Sequence, residues 1–136
     1  MAFKFEELDV WKLSLEYSDL IYALADKLPE RERYNLSSQI TRAATSISLN
    51  IAEGSTGQSN PEQNRFLGLA LRSLIETVAC QRMITHRKYV IDKNYMEQVD
   101  LKAQVLAKRI SAFRKALTPT SQNISEDQSP YETNEI

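Results

Sequence analysis

Residues 38–54 read Ser38-Gln39-Ile40-Thr41-Arg42-Ala43-Ala44-Thr45-Ser46-Ile47-Ser48-Leu49-Asn50-Ile51-Ala52-Glu53-Gly54. At about 100° per residue, Leu36, Ile40, Ala43, Ala44, Ile47 and Ile51 fall on one side of a helix. Gln39, Arg42, Ser46, Asn50 and Glu53 gather within about 80° beside them, a polar stripe along some four turns. Ser37 is a plausible N-cap and Gly54 a natural stop. The period is helical throughout, and no segment of the chain sustains the alternation of a strand.

Outward from this segment, the same reading gives three more helices. The first spans about 7–28, with Val10, Leu13, Tyr17, Leu20, Ile21, Leu24 and Leu28 on one stripe. Pro29 ends it, because proline lacks the helical donor and restricts the residue before it. The third opens on Asn60-Pro61-Glu62, read as a cap, an early proline and a first-turn acid, and runs to about Lys88. The fourth begins near Asp92 and ends by Pro119, with Tyr95, Val99, Leu106, Ile110, Phe113 and Leu117 on one face. Short connections make successive helices antiparallel. The expected fold is all-α, an up-down-up-down four-helix bundle over residues 1–117.

Two helices carry more apolar surface than a monomeric bundle needs. The first has a further stripe of Leu8, Trp11, Leu15 and Tyr22. The third has Phe66, Leu69, Ala70, Leu74 and Ile84 on one side and Leu67, Leu71, Ile75 and Val78 on another. A bundle helix normally has one apolar stripe and one solvated face. The excess predicts a homo-oligomer, with Leu8, Trp11, Leu15, Tyr22, Leu67, Leu71 and Ile75 at the contact.

The charge is unevenly placed. The 136 residues hold 17 Lys+Arg and 18 Asp+Glu, a net of −1. All 17 bases and 14 acids lie in residues 1–117, which carry +3, while Glu126, Asp127, Glu132 and Glu135 give the last stretch −4. Residues 118–136 are polar, with few large apolar groups, and read as a flexible acidic tail. Lys102, Lys108, Arg109, Arg114 and Lys115 make the second half of the fourth helix basic with no acid, the candidate nucleic-acid-binding face. A well-capped, solvated helix end is the competing reading.

The candidates for chemistry are few. Cys80 has no histidine near it in sequence and reads as a small core residue. His86 belongs to no metal-binding pattern. Gly54-Ser55-Thr56-Gly57 matches the form of a Gly-x-x-Gly clamp but lacks the strands around it. The polar stripe of Gln39, Arg42, Ser46, Asn50 and Glu53 faces a charged strip of Arg65, Arg72 and Glu76 if the two helices are neighbours. Pairs of Arg42 with Glu76, and of Glu53 with Arg65 or Arg72, would then form a structural polar seam. The alternative is a ligand or catalytic cleft with Glu53 and Glu76 as acid and base; no nucleophile, metal ligand set or cofactor motif accompanies them. The chain is expected not to be an enzyme and to need no cofactor. With no apolar run near the ~18 residues of a membrane span and no signal pattern, it is expected to be cytoplasmic.

Leu28-Pro29-x-x-Glu32-x-Tyr34-x-Leu36, then Ser38-Gln39-Ile40-x-Arg42-Ala43-Ala44-x-Ser46-Ile47-x-x-Asn50-Ile51-Ala52-Glu53-Gly54, resembles the four-helix-bundle family of the 23S rRNA intervening-sequence proteins. Trp11-Lys12 upstream fits the pattern. So do Ser59, Glu62, Arg65-Phe66-Leu67, Ala70, Ser73-Leu74 and Glu76 downstream. A related branch holds the accessory variability proteins of diversity-generating retroelements. The resemblance implies a barrel-like homopentamer, RNA or DNA binding, and, in the retroelement branch, partnership with a reverse transcriptase. It carries Arg42, Ser46, Asn50, Glu53 and Glu76 over as seam residues. Two departures weaken the nucleic-acid case, because phosphate contacts need cations. Thr41-Arg42 stands where relatives have a basic pair, and the loop Ser55-Thr56-Gly57-Gln58 has no base.

Overall fold

The computed structural model describes residues 3–57 and 59–118. Four α-helices follow one another: α1 (Asp9–Asp26), α2 (Leu36–Gly54), α3 (Asn60–His86) and α4 (Lys93–Leu117). Short 3-10 turns lie at Lys4–Glu7 and Glu30–Glu32, and no strand is present among the described residues. Of the expected acidic tail only Thr118 is described, buried with its hydroxyl donating to the Arg114 carbonyl at 3.0 Å, and the rest lies outside the described residues. No described helix is long and apolar enough to cross a membrane.

The helix ends follow from local chemistry, with two shifts from the sequence reading. The N-cap of α3 is Ser59, not Asn60; its hydroxyl accepts the Glu62 N–H at 3.2 Å, leaving Pro61 in the first turn. The N-cap of α2 is Asn35 rather than Ser37, and its own side chain does not cap. The Glu32 carboxylate supplies that acceptor instead, taking the Leu36 N–H at 3.4 Å. In α4 the Asp92 carboxylate accepts the Tyr95 N–H at 3.1 Å. Gly54 is the last residue of α2 without a left-handed backbone, so its role is spatial.

Cross-helix contacts run in opposite numerical senses, so neighbouring helices are antiparallel. Between α1 and α2, Ser14 and Ser48 share a hydrogen bond at 2.8 Å, and Ser37 donates to the Ala25 carbonyl at 3.3 Å. Between α2 and α3, Ser46 meets Ser73 at 2.8 Å and Gly54 lies against Phe66. Between α3 and α4, Arg82 reaches Asp100 at 2.8 Å and Arg114 donates to Asn64 at 2.7 Å. Between α4 and α1, Lys102 reaches Glu16 and the Tyr95 hydroxyl donates to the Leu20 carbonyl. The four helices close a ring around Tyr17, Ile21, Leu24, Ile40, Ile47, Ile51, Leu74, Leu106 and Ile110, all buried. Each such side chain contributes about 1.5–3 kcal/mol relative to exposure.

That ring corrects the interface expected on α3. Leu67 and Leu71 are core residues, 1% and 6% exposed. Helix α3 packs against both α2 and α4, so its inward arc is wide enough to need two apolar bands. Leu8 and Trp11 are also mostly turned inward, packed on the core, with the Trp11 indole edge-on to Phe5 at 4.6 Å. Of the seven expected contact residues only Leu15, Tyr22 and Ile75 are exposed.

A polar triad sits inside the apolar ring. Thr77 spends its one proton on the Leu74 carbonyl at 2.6 Å, so the Tyr17 hydroxyl donates to Thr77 at 2.7 Å. Gln81 Nε2 in turn donates to the Tyr17 oxygen at 2.8 Å. Burial pushes the Tyr17 phenol up to about 12, against its hydrogen bonds with Thr77 and Gln81. Gln81 Oε1 is buried without a donor.

At the end where the α1–α2 and α3–α4 connections meet, buried Glu32 holds the two together. Its carboxylate accepts from the Tyr89 hydroxyl, from Asn35 Nδ2 at 2.9 Å and from the Leu36 N–H. The Tyr89 bond holds the Glu32 carboxyl below its usual range, against the desolvation that raises it; Asn35, Leu36 and the Arg87 charge assist. A carboxyl depressed in the folded state adds stability that is present above its unfolded value near 4.5 and is lost as pH falls through the folded value. Melting temperature should therefore drop on acidification below about pH 4.5, and Glu32→Gln should flatten that drop while lowering stability at pH 7. Calorimetry of both proteins from pH 3 to 7 tests this. Parallel profiles would remove Glu32 as the cause.

Candidate functional site

The outer side of the α1–α2 contact carries a set of unusual exposures. Ser14 and Ser48 mark where α1 and α2 touch. One residue further on each helix, about 100° of turn, brings Leu15 and Leu49 to the outer side of that contact. They are 43% and 60% exposed, and Tyr22 beside them is 49% exposed with its hydroxyl on Thr45 at 3.1 Å. Three large apolar groups thus form a strip along the α1–α2 groove. The sequence reading found Leu15 and Tyr22 and missed Leu49, a lone apolar residue within an otherwise polar arc. Ile75 does not join them; it lines a separate groove between α3 and α4 with Leu74, Val78, Ala103 and Ala107.

Of the expected seam, only Ser46 makes a polar contact from α2 to α3 among the described residues, and the expected ion pairs do not form. Ser46 bonds Ser73, and Asn50 Nδ2 donates to the Ser46 carbonyl and hydroxyl at 2.9 and 3.1 Å. The Ser46–Ser73 bond joins α2 to α3, and Asn50 supports it from within α2. The charged members turn outward instead. Arg42 donates to Ser38 one turn back, at 2.8 Å, rather than to Glu76. Arg65 pairs with Glu62 at 2.7 Å rather than with Glu53. The side chains of Gln39, Glu53, Arg72 and Glu76 are exposed and make no hydrogen bond or ion pair among the described residues. The reason is geometric: Ser46–Ser73 and the Gly54–Phe66 approach bring α2 and α3 so close that only small groups fit between them. Charges on either side of that line are left on the surface, where water solvates them.

The five α4 cations do not make one face. Lys102 and Arg109 flank α1, with Lys102 on Glu16 at 2.7 Å and Arg109 3.9 Å from Asp9. Arg114 lies on the opposite edge, half-buried over Gly68 and donating to Asn64. Lys108 lines the α3–α4 groove, and Lys115 is exposed. A periodicity of 3.6 scatters these positions around the helix.

The residues considered for chemistry are not assembled for it. Cys80 is buried, and burial pushes its thiol up, away from the thiolate a nucleophile needs. His86 is exposed at the C-terminal end of α3, at the opposite end of the bundle from Glu53 on α2. Glu53 and Glu76 open to solvent rather than into a cleft. Among the described residues no three of His, Cys, Asp and Glu gather as a metal would require.

Comparison with known proteins bears on this fold. A crystal structure from Bacteroides thetaiotaomicron, described as a protein of unknown function from the S23 ribosomal protein family, is similar at 28% identity. The match covers 78% of this chain and 98% of that one, with a TM-score of 0.71. No curated protein matches. The sequence model for the 23S rRNA-intervening sequence proteins matches residues 6–112, from the turn before α1 into the last turns of α4. The chain belongs to the 23S rRNA-intervening sequence protein family.

Proposed function

We propose that this protein is a non-enzymatic, self-associating helical bundle whose copies meet through the outward face of α2 and its flank on α1. One observation supports the reading: Leu15, Tyr22 and Leu49 are exposed together along the α1–α2 groove of a chain that has already closed its own core. A contiguous apolar strip rimmed by polar groups is the usual mark of a protein contact. The rim here is Arg42 and Glu53 on α2, charges of both signs whose partners another copy can supply. Such pairs add register more than affinity. A ring of five copies, barrel-like, is the assembly proposed, in keeping with the family resemblance.

The test is the double variant Leu15→Glu with Leu49→Glu, followed by sedimentation velocity and circular dichroism. Both residues are exposed in the single chain, so the helical content should stay as it is. The mass should fall to that of one chain. An assembly that survives both substitutions would place the contact elsewhere.

A further inference from the structure

We infer that the end of the bundle formed by residues 27–34 and 86–93 is a contact site for single-stranded nucleic acid, with Tyr34 as the base-stacking platform. The two segments are one surface, because Tyr89 of the second donates to Glu32 of the first. Tyr34 is 85% exposed, although an aromatic ring ordinarily buries most of its area. The Arg33 guanidinium lies 5.4 Å from its ring centroid. Two further cation–ring pairs stand at the same end: Arg31 over Tyr89 at 5.3 Å and Lys27 over Tyr95 at 4.9 Å. Aromatic faces interleaved with cations are what a splayed-out base and its phosphate require.

The charge balance at this end favours an anion. Lys27, Arg31, Arg33, Arg87, Lys88 and Lys93 are the cations of the end, against Asp26, Glu30, Glu32 and Asp92. Three of the four acids are committed locally. Glu32 is buried on Tyr89, Asn35 and Leu36, Asp92 caps α4, and Glu30 pairs with Arg33 at 3.3 Å. That pair takes Arg33 out of the balance as well, so the end keeps a small positive excess of six cations over four acids. Lys88 holds a left-handed backbone, φ 60°, at the end of α3, and Arg87 and Lys88 are exposed beside it. No other part of the described surface combines an exposed tyrosine with three cation–ring pairs.

A duplex does not fit this description, since its bases are stacked on one another and unavailable to Tyr34. An unpaired strand does. RNA and DNA present the same ring faces and phosphates, and only the 2′-hydroxyl separates them. The site goes beyond the self-association reading; it adjoins the Tyr22 end of that strip, since Tyr22 and Arg33 line one groove, and Leu15 and Leu49 lie further along the helices. In a five-copy ring it would be repeated five times, so avidity would raise affinity without new contacts.

The experiment is a fluorescence-anisotropy titration of the full chain with a labelled 20-nucleotide single-stranded RNA, the same sequence as DNA, and its duplex. Low and near-physiological salt are compared. Wild type should bind the single strands, more weakly as salt rises, and prefer them to the duplex. Tyr34→Ala should weaken single-strand binding about ten-fold or more. Arg31→Glu with Lys88→Glu should weaken it and reduce the salt dependence. Lys108→Glu with Lys115→Glu, on α4, should leave it within about two-fold. The Leu15→Glu with Leu49→Glu protein should still bind, with lower avidity, which separates failure of this site from failure of self-association. No binding by wild type at low salt would overturn the site. So would an unchanged Tyr34→Ala, or a Tyr34→Ala that alters only the mass of the assembly, which would make this end a protein contact.

Discussion

Gly54→Ala lowers the stability of the bundle by about 1–3 kcal/mol, the cost of overpacking a fitted contact. A methyl group built on Gly54 meets the Phe66 Cβ at 2.8 Å and the Gln63 carbonyl oxygen at 3.4 Å. The near atom is a Cβ, which moves only with the backbone, so no rotamer change of Phe66 relieves the contact. Helix α2 must shift against α3, across the most extensive of the helix pairings. The Ser46–Ser73 bond two turns along limits how far it can go. Gly68 is the internal control. A methyl there meets the Arg114 guanidinium at 3.3 Å, the far end of a flexible side chain. Gly68→Ala should cost little, offset by the roughly 1 kcal/mol that alanine gains over glycine inside a helix. Thermal melts of the two variants should differ by several degrees, Gly54→Ala being the lower. Equal melting temperatures would mean that α2 and α3 are not in such close contact.

Tyr17→Phe is expected to cost about 1–3 kcal/mol, although it removes only one oxygen. That oxygen accepts from Gln81 and donates to Thr77 in a site closed to water. Without it, the Gln81 amide has neither a donor nor an acceptor partner, because its Oε1 is already unpaired. The penalty comes from the buried group left behind rather than from the bond lost. Removing both groups should therefore recover much of the stability. In a double-mutant cycle, Tyr17→Phe with Gln81→Leu should be more stable than the sum of the single effects predicts. Additive losses in denaturant unfolding would show that Gln81 finds another partner.

The helices themselves were legible in the sequence to within two residues or so, because Pro29, Gly54, the Ser59-Asn60-Pro61 run and Asp92 punctuate a strong 3.6 period. What periodicity does not reveal is how many neighbours a helix has. The two bands of α3 looked like a core stripe plus an interface; Leu67 and Leu71 are instead core, since α3 touches both α2 and α4. Of the residues expected in the seam, Ser46 reaches α3 through Ser73 and Asn50 bonds back to Ser46, whereas Gln39, Arg42, Glu53 and Glu76 face solvent. Counting around the helix put Arg42 near Glu76, but Gly54 and the serines draw the backbones together and leave the charges outside. Buried polar groups were missed for a different reason. Tyr17 is legible only as part of an apolar stripe, Thr77 and Gln81 carry no pattern, and Glu32 is marked only by the family motif, yet each is buried with a partner from a distant segment. Such pairs are tertiary facts with no local signal. Along the α1–α2 groove, Leu15 and Tyr22 are visible in the sequence as a stripe on α1, whereas Leu49 needs the α1–α2 register that Ser14 and Ser48 set. The basic half of α4 was visible as composition, and only the fold shows its cations divided between the α1 side, the α3 side and solvent.

Self-association is the central claim, and the mass of the wild-type chain in solution tests it most directly. Light scattering coupled to size exclusion at micromolar concentration should give a multiple of the 15.6 kDa chain, and about 78 kDa for the proposed five copies. A mass of one chain would contradict the account, leaving Leu15, Tyr22 and Leu49 as exposed residues without a partner.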